Sequence, residues 1–390
     1  MSSRRELNST NETAYSVSSD LRRNAEITLQ YLADAELTSL PDDAVIQRSL
    51  SVKTVVSTSS SFAQCCQQAV GQPHLQQIVQ IGAGMQVGRS IAMKKEFLGN
   101  ATLTTNLLHE YSLHRAVIQA FDCYDDTIRS DVRVPQLFDV IHATDDRFWS
   151  ENLVKFLSVY RTRTDMVQME RILPLPKVVR KALIAHFYPH NDNAPLDSVA
   201  LGSILNDTPN KHCLARIYLG RENGMLTREG FSLRNFPLYL KPMQELGLDV
   251  VGLASAMGKA FAIMHWGAGV NGDDVEFVLG SSTVGGEEGG NLNFQHRAIR
   301  FYLLDFGQCD FVNFSGDQDE VYQAFKGAMV TGDNQLFIPH YEKSRELYAV
   351  FKAGYMDAAQ VILKERGMEK KFSIEDFMAE YEEYAEDFLV

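Results

Sequence analysis

Cysteine is scarce in this chain of 390 residues: Cys65, Cys66, Cys123, Cys213 and Cys309 are odd in number and scattered. They lack Cys-x-x-Cys spacing, which argues against a disulfide framework and against a zinc finger, so no metal is expected. Long apolar runs are also missing, and nothing approaches the roughly 18 residues a membrane span needs. The opening MSSRRELNST has two arginines but no apolar core behind them, unlike a secretory leader. These lacks together predict a cytoplasmic protein without membrane contact.

A surplus of positive charge is lacking too. The net charge of −13 argues against a simple nucleic-acid binder, and DNA is not an expected partner. The charge is uneven, however. From Arg161 to Arg234 there are eleven Lys/Arg against seven Asp/Glu, whereas Tyr341 to Val390 carries twelve acidic residues against seven basic ones. Local potential governs phosphate contact, so an acidic protein can still present a basic face. Ordinary solvated helix faces would give the same counts.

No internal repeat is present. Residues 1–20 read as a mobile polar tail, and 21–74 as an N-terminal extension containing a Ser/Gln-rich linker or weak helix from Val52 to Gln72. Gln77 to Phe97 reads as a hairpin around a glycine-rich turn. The stripe Leu103, Leu107, Leu108, Tyr111, Val117, Ile118 and Phe121 has helical spacing, with caps available at Thr102, Thr104 and Thr105. Strands are predicted over 132–141 and 165–173, and helices over 176–188, 249–266, 318–330, 341–366 and 374–388. The glycine-rich stretch 285–290 reads as a loop between strands. The expected fold is α+β and protein-kinase-like in two lobes: a small β-rich lobe over 75–172 and a larger helical lobe over 173–390.

Several segments carry that expectation. Asp305-Phe306-Gly307 follows an apolar run, as the metal-binding carboxylate of kinase-like folds does. Upstream, Gly82, Gly84 and Gly88 lie in a turn where bare backbone amides could approach a phosphate. Lys94 in Ile91-Ala92-Met93-Lys94 matches the strand lysine that neutralises phosphates, and Glu110 follows on the amphipathic helix, placed to pair with it. A plain β-turn and a chance Lys/Glu spacing would look the same. The helix ending in His265 and Trp266 leads into Asn271-Gly272-Asp273-Asp274-Val275-Glu276, the outline of a catalytic loop. His265 can equally be a structural residue at the helix end. In register, Asn271 stands where the catalytic Asp belongs, and Glu276 where the metal-binding Asn belongs. A neutral amide cannot act as the base, and Asp273 and Asp274 sit off register. The pattern thus keeps a nucleotide-type cleft but not its usual chemistry.

Longer stretches resemble a specific fungal family, long known as a domain of unknown function and carrying a misleading zinc-finger label. The resemblance covers about residues 75–350. It rests on Glu170-Arg171-Ile172-Leu173-Pro174-Leu175-Pro176, on 213–220 (CLARIYLG), on 231–239 (FSLRNFPLY), on Met264-His265-Trp266, on 274–280 (DVEFVLG) and on Leu303-Leu304-Asp305-Phe306. Asn271 departs from the Asp expected in the family's loop. Some members are arginine-containing cyclodipeptide synthases. The resemblance therefore implies that arginyl-tRNA and a second aminoacyl-tRNA are partners, that the product is a cyclic dipeptide of fungal secondary metabolism, and that no cofactor is needed. An aminoacyl ester is already activated, so the reaction needs alignment, a base and oxyanion donors rather than ATP. A guanidinium is best held by carboxylates, which makes Asp273, Asp274, Glu276 and Asp305 the catalytic candidates. Gly82, Gly84, Lys94, Glu110, His265 and Asn271 are substrate-binding candidates. Arg171, Lys177, Arg180, Lys181, Arg216 and Arg234 are candidates for the acceptor stem. A kinase-like phosphotransferase, a pseudokinase or a non-catalytic scaffold are the alternatives.

Overall fold

A computed structural model describes residues 30–51, 54–57, 91–95, 106–156, 158–189, 196–285 and 292–389. The predicted tail, most of the Ser/Gln-rich stretch and the glycine turn with Gly82 and Gly84 lie outside them.

Among the described residues the fold is mixed α+β and contains two sheets. Its strands are β1 (Gln30–Ala33), β2 (Thr54–Ser57), β3 (Ile91–Lys95), β4 (Val132–Arg133), β5 (Leu137–Ile141), β6 (Met166–Glu170), β7 (Ala215–Tyr218), β8 (Phe236–Tyr239), β9 (Glu276–Gly285) and β10 (Leu292–Leu304). The larger sheet runs β1-β2-β10-β9-β7-β8, with β4 also on β10. The smaller runs β3-β6-β5. The strand predicted over 132–141 is therefore two, split around Pro135 and sent to different sheets, because proline cannot donate to a ladder. Most of the larger sheet comes from 215–304, a region assigned from the sequence to the larger helical lobe.

The antiparallel pair β9–β10 anchors the larger sheet. Phe301 lies opposite Leu279, Leu303 opposite Phe277 and Leu304 opposite Glu276. Residues 277–281 and 297–299 are buried on both faces of the sheet, which accounts for near-continuous apolar runs instead of clean alternation. The smaller sheet covers its own core of Met93, Ile141, Trp149, Phe156 and Met166.

The longer helices are α1 (Leu107–Ile128), α2 (Lys177–Phe187), α3 (Val250–Ala262), α4 (Gln318–Val330), α5 (Arg345–Glu365) and α6 (Ile374–Phe388). Asp249 starts α3 by accepting from the Gly252 amide at 2.8 Å. Helix α3 is buried along much of its length, and two glycines let it approach α5 closely. A Cβ on Gly258 would stand 2.2 Å from the Phe351 carbonyl oxygen, and one on Gly354 would stand 2.7 Å from that of Ser255. Past Ala262 the winding loosens into a π-helix, Ile263–Ala268, which Gly269 ends in the left-handed conformation (φ 70°). Among the described residues no helix is long and apolar enough to cross a membrane.

Candidate functional site

Strand β3 holds Lys94, with Val167 of β6 as its cross-strand neighbour. The first turns of α1 hold Glu110, on the same buried stripe as Leu107 and His114. The Lys94 ammonium donates to Glu110 Oε1 at 2.5 Å and to Asp305 Oδ1 at 3.1 Å. Burial alone would pull Lys94 down, but the Asp305 and Glu110 carboxylates hold it above the ordinary lysine value. Burial pushes Glu110 up, against the pull of Lys94 and with help from Asp305. Its second oxygen, Oε2, is buried and finds no hydrogen-bond partner among the described residues. Asp305 follows β10 directly and sits at φ 67°, a region Asp tolerates better than bulkier residues.

Because Glu276 pairs with Leu304, the start of β9 lies beside Asp305. Glu276 binds the guanidinium of Arg216 from β7, whose Nη1 also donates to Asp333 at 2.9 Å and to the Tyr218 hydroxyl at 3.2 Å. Burial pushes Glu276 up to about 7; Arg216 opposes the rise, and Asp305, Asp333 and Asp274 reinforce it. Asp274 (φ 53°) accepts from the Asp333 amide at 3.0 Å, and Asp273 accepts from the Thr331 hydroxyl at 2.8 Å. All four carboxylates proposed from the sequence thus gather at one end of the β9–β10 pair. Asp273 and Asp274 also fasten the turn at 331–333. Among the described residues no group of three or more side chains is arranged to hold a metal ion.

Two substrate-binding candidates are structural instead. His265 is fully buried, stacked on Phe325 with ring centroids 4.3 Å apart. The Asn271 carbonyl can only accept, so the 3.0 Å contact puts the proton on Nε2. Nδ1 then accepts from the Tyr355 hydroxyl at 2.9 Å, whose oxygen accepts from Trp266 Nε1 at 2.8 Å. Both ring nitrogens are used within the fold, and burial lowers the imidazole to about 3. Asn271 is a strut: its side-chain oxygen accepts from the Asp310 amide at 2.8 Å, and its own amide donates to the Asp310 carbonyl at 3.0 Å.

The basic candidates disperse. Arg216 belongs to the acidic site. Arg180 is a half-buried clamp, donating to the Leu175 and Asn210 carbonyls at 3.0 and 2.9 Å; burial lowers its pKa. Exposed Lys181 faces Asp42, which burial lifts and Lys181 draws back. Lys177 is exposed at the start of α2. Burial lowers the His212 imidazole, and the charges of Arg171, Arg234, Arg180 and Lys211 lower it further. Sequence reasoning missed Asp333, Tyr218, Lys211 and His212. No motif marks Asp333, Lys211 or His212, and Tyr218 stands inside the 213–220 stretch without a role of its own, because each acquires its place only when distant segments meet.

The chain matches no protein-family model and no curated protein.

Proposed function

We propose that the chain joins arginine, delivered as arginyl-tRNA, to a second aminoacyl group and releases a cyclic dipeptide, in a cleft of kinase-like two-lobed design. The observation that carries this reading is the imbalance of charge in the site. Glu110, Asp273, Asp274, Glu276, Asp305 and Asp333 are set against Lys94 and Arg216. Such a site favours a cationic guest, and the Glu276–Arg216–Asp333 arrangement is chemically a guanidinium mount. Asp305, about half exposed, and Glu276 take the substrate guanidinium. The amine of one aminoacyl ester attacks the carbonyl of the other, and the ribose oxygen leaves with the proton. A second attack of the same kind closes the ring and frees the other tRNA. Asn271 has no part in proton transfer. Expression in a heterologous host, with mass spectrometry of the medium, tests the reading. A cyclic dipeptide containing arginine is expected, and its absence from cells holding the folded protein would overturn it.

One observation favours a second reading. The Lys94–Glu110 pair beside Asp305 is also how a kinase-like cleft readies itself for nucleotide phosphates. Thermal stabilisation by magnesium–ATP, with no dipeptide formed, would favour a nucleotide-binding pseudokinase.

A further inference from the structure

Glu110 is only 6% exposed, and its two carboxylate oxygens are used unequally. Oε1 accepts from the Lys94 ammonium at 2.5 Å. Oε2 is buried as well, yet it accepts from no described residue. A charged oxygen withdrawn from water without a donor is costly to keep. Gly307 shows where that oxygen points. A Cβ built on Gly307 would stand 3.5 Å from Glu110 Oε2 and 3.6 Å from Asp305 Oδ1, its two nearest atoms outside residues 306–308. Both carboxylates therefore face one position, which a side chain would fill and glycine leaves open. Nothing else demands glycine there. The residue is not in the left-handed region, and those distances are ordinary contacts.

Charge at this position is unbalanced. Among the described residues Lys94 is the one cation paired with Glu110 or Asp305, and it reaches Asp305 at 3.1 Å. Two carboxylates against one ammonium leave a negative charge over. A second cation would supply the counter-charge and the missing donor together. Room for about one methyl group suits a compact ammonium with three rotatable donors, not a planar guanidinium. Asp305, with its side chain 47% exposed, opens the position toward solvent.

We propose that Glu110 Oε2, with Asp305 Oδ1 beside it, receives the α-ammonium of an aminoacyl ester, and that Gly307 makes the room for it. The proposal rests on the synthase reading for the identity of its guest. It adds a division of labour: the buried oxygen holds the amino end, while Glu276 and the other oxygen of Asp305 hold the guanidinium. Two anchors on one arginyl group fix the direction of its ester carbonyl.

Isothermal titration at about pH 7 with L-arginine methyl ester and its des-amino analogue tests this. Both carry the guanidinium and the ester. Only the first carries an ammonium, since the ordinary α-amino value is about 8. Wild type should bind the amino ester at least about tenfold more tightly, the size of one charge-assisted hydrogen bond. Gly307→Ala places a methyl in contact with both oxygens and leaves the Lys94–Glu110 pair in place. It should unfold in urea as wild type does, bind the des-amino ester as wild type does, and lose the preference for the amino ester. Equal affinities of wild type for the two esters would overturn the proposal, as would a preference that survives in Gly307→Ala or a wild type that binds neither ester. Dipeptide yield separates this inference from the synthase reading. Equal product from wild type and Gly307→Ala would reject the ammonium site and keep the synthase. The expected ester preference, lost in Gly307→Ala, in a protein that makes no dipeptide would keep the site and reject the synthase.

Discussion

Replacing Glu276 with glutamine separates what the acidic site does for stability from what it does for function. The Glu276 side chain is 17% exposed and its carboxyl is pushed up from 4.5 to about 7, chiefly by burial. Between those two values the unfolded chain has released the proton while the folded chain keeps it. Folding stability from this group is therefore complete below pH 4.5 and is lost as pH rises to about 7. At about 1.4 kcal/mol per pH unit, the interval amounts to about 3 kcal/mol. Glutamine mimics the protonated acid and does not titrate. The Glu276→Gln protein should match wild type near pH 4.5 and be more stable at pH 8, by up to about 3 kcal/mol. At the same pH 8 it should make less dipeptide by at least about tenfold, since losing one partner of a desolvated charge pair costs about 2–5 kcal/mol. Urea unfolding midpoints across pH 4.5–8, followed by product yield, measure both effects. A variant less stable than wild type at pH 8 would refute the reasoning, for the Arg216 pair would then be an ordinary stabilising salt bridge. Unchanged product would remove Glu276 from the site.

Lys94→Met leaves Glu110 and Asp305 facing each other without their cation. Its unfolding free energy should drop by about 3 kcal/mol at pH 8, and the deficit should shrink on acidification as buried Glu110 takes up a proton, read from thermal melts at several pH values. Tyr355→Phe strips a partner from both His265 Nδ1 and Trp266 Nε1. The expected loss is about 2–6 kcal/mol in denaturant unfolding, since each buried group left unpaired costs about 1–3. Gly258→Ala drives a methyl into the Phe351 carbonyl; a loss of about 2 kcal/mol or more in the same assay marks α3 and α5 forced apart.

Local patterning made much of this visible in the sequence. The amphipathic stripe of α1 is 3.6-periodic, and Lys94 and Glu110, sixteen residues apart, meet at 2.5 Å. The acids at the β9–β10 ends were legible because a strand hands its terminal residue to a known edge. Arg216 was not. Its neighbours Ala215 and Ile217 point into the core, so strand alternation turns Arg216 the other way, onto an acid sixty residues distant. Pattern alone cannot say which acid that will be. Arg180 looked like surface charge because a guanidinium reaching two carbonyls leaves no periodic trace. The helix predicted over 249–266 has no break signal where the π-helix begins, and it is there that His265 and Trp266 both turn toward Tyr355. Thr54–Ser57 read as linker because four residues are too few for a strand signal without their partner in β10.

That partner arrives late. Ser57 pairs with His296, so during synthesis β2 must wait for about 240 further residues before its edge can be filled. At 5–20 residues per second the wait is about 10–50 s. Until then the early strands have no antiparallel neighbour, and their hydrogen-bonding groups stay open to other nascent chains. Yield in a foreign host should then depend on elongation rate and on chaperones that shield unpaired strands. Slower growth at lower temperature would help only if that shielding keeps pace with the longer wait.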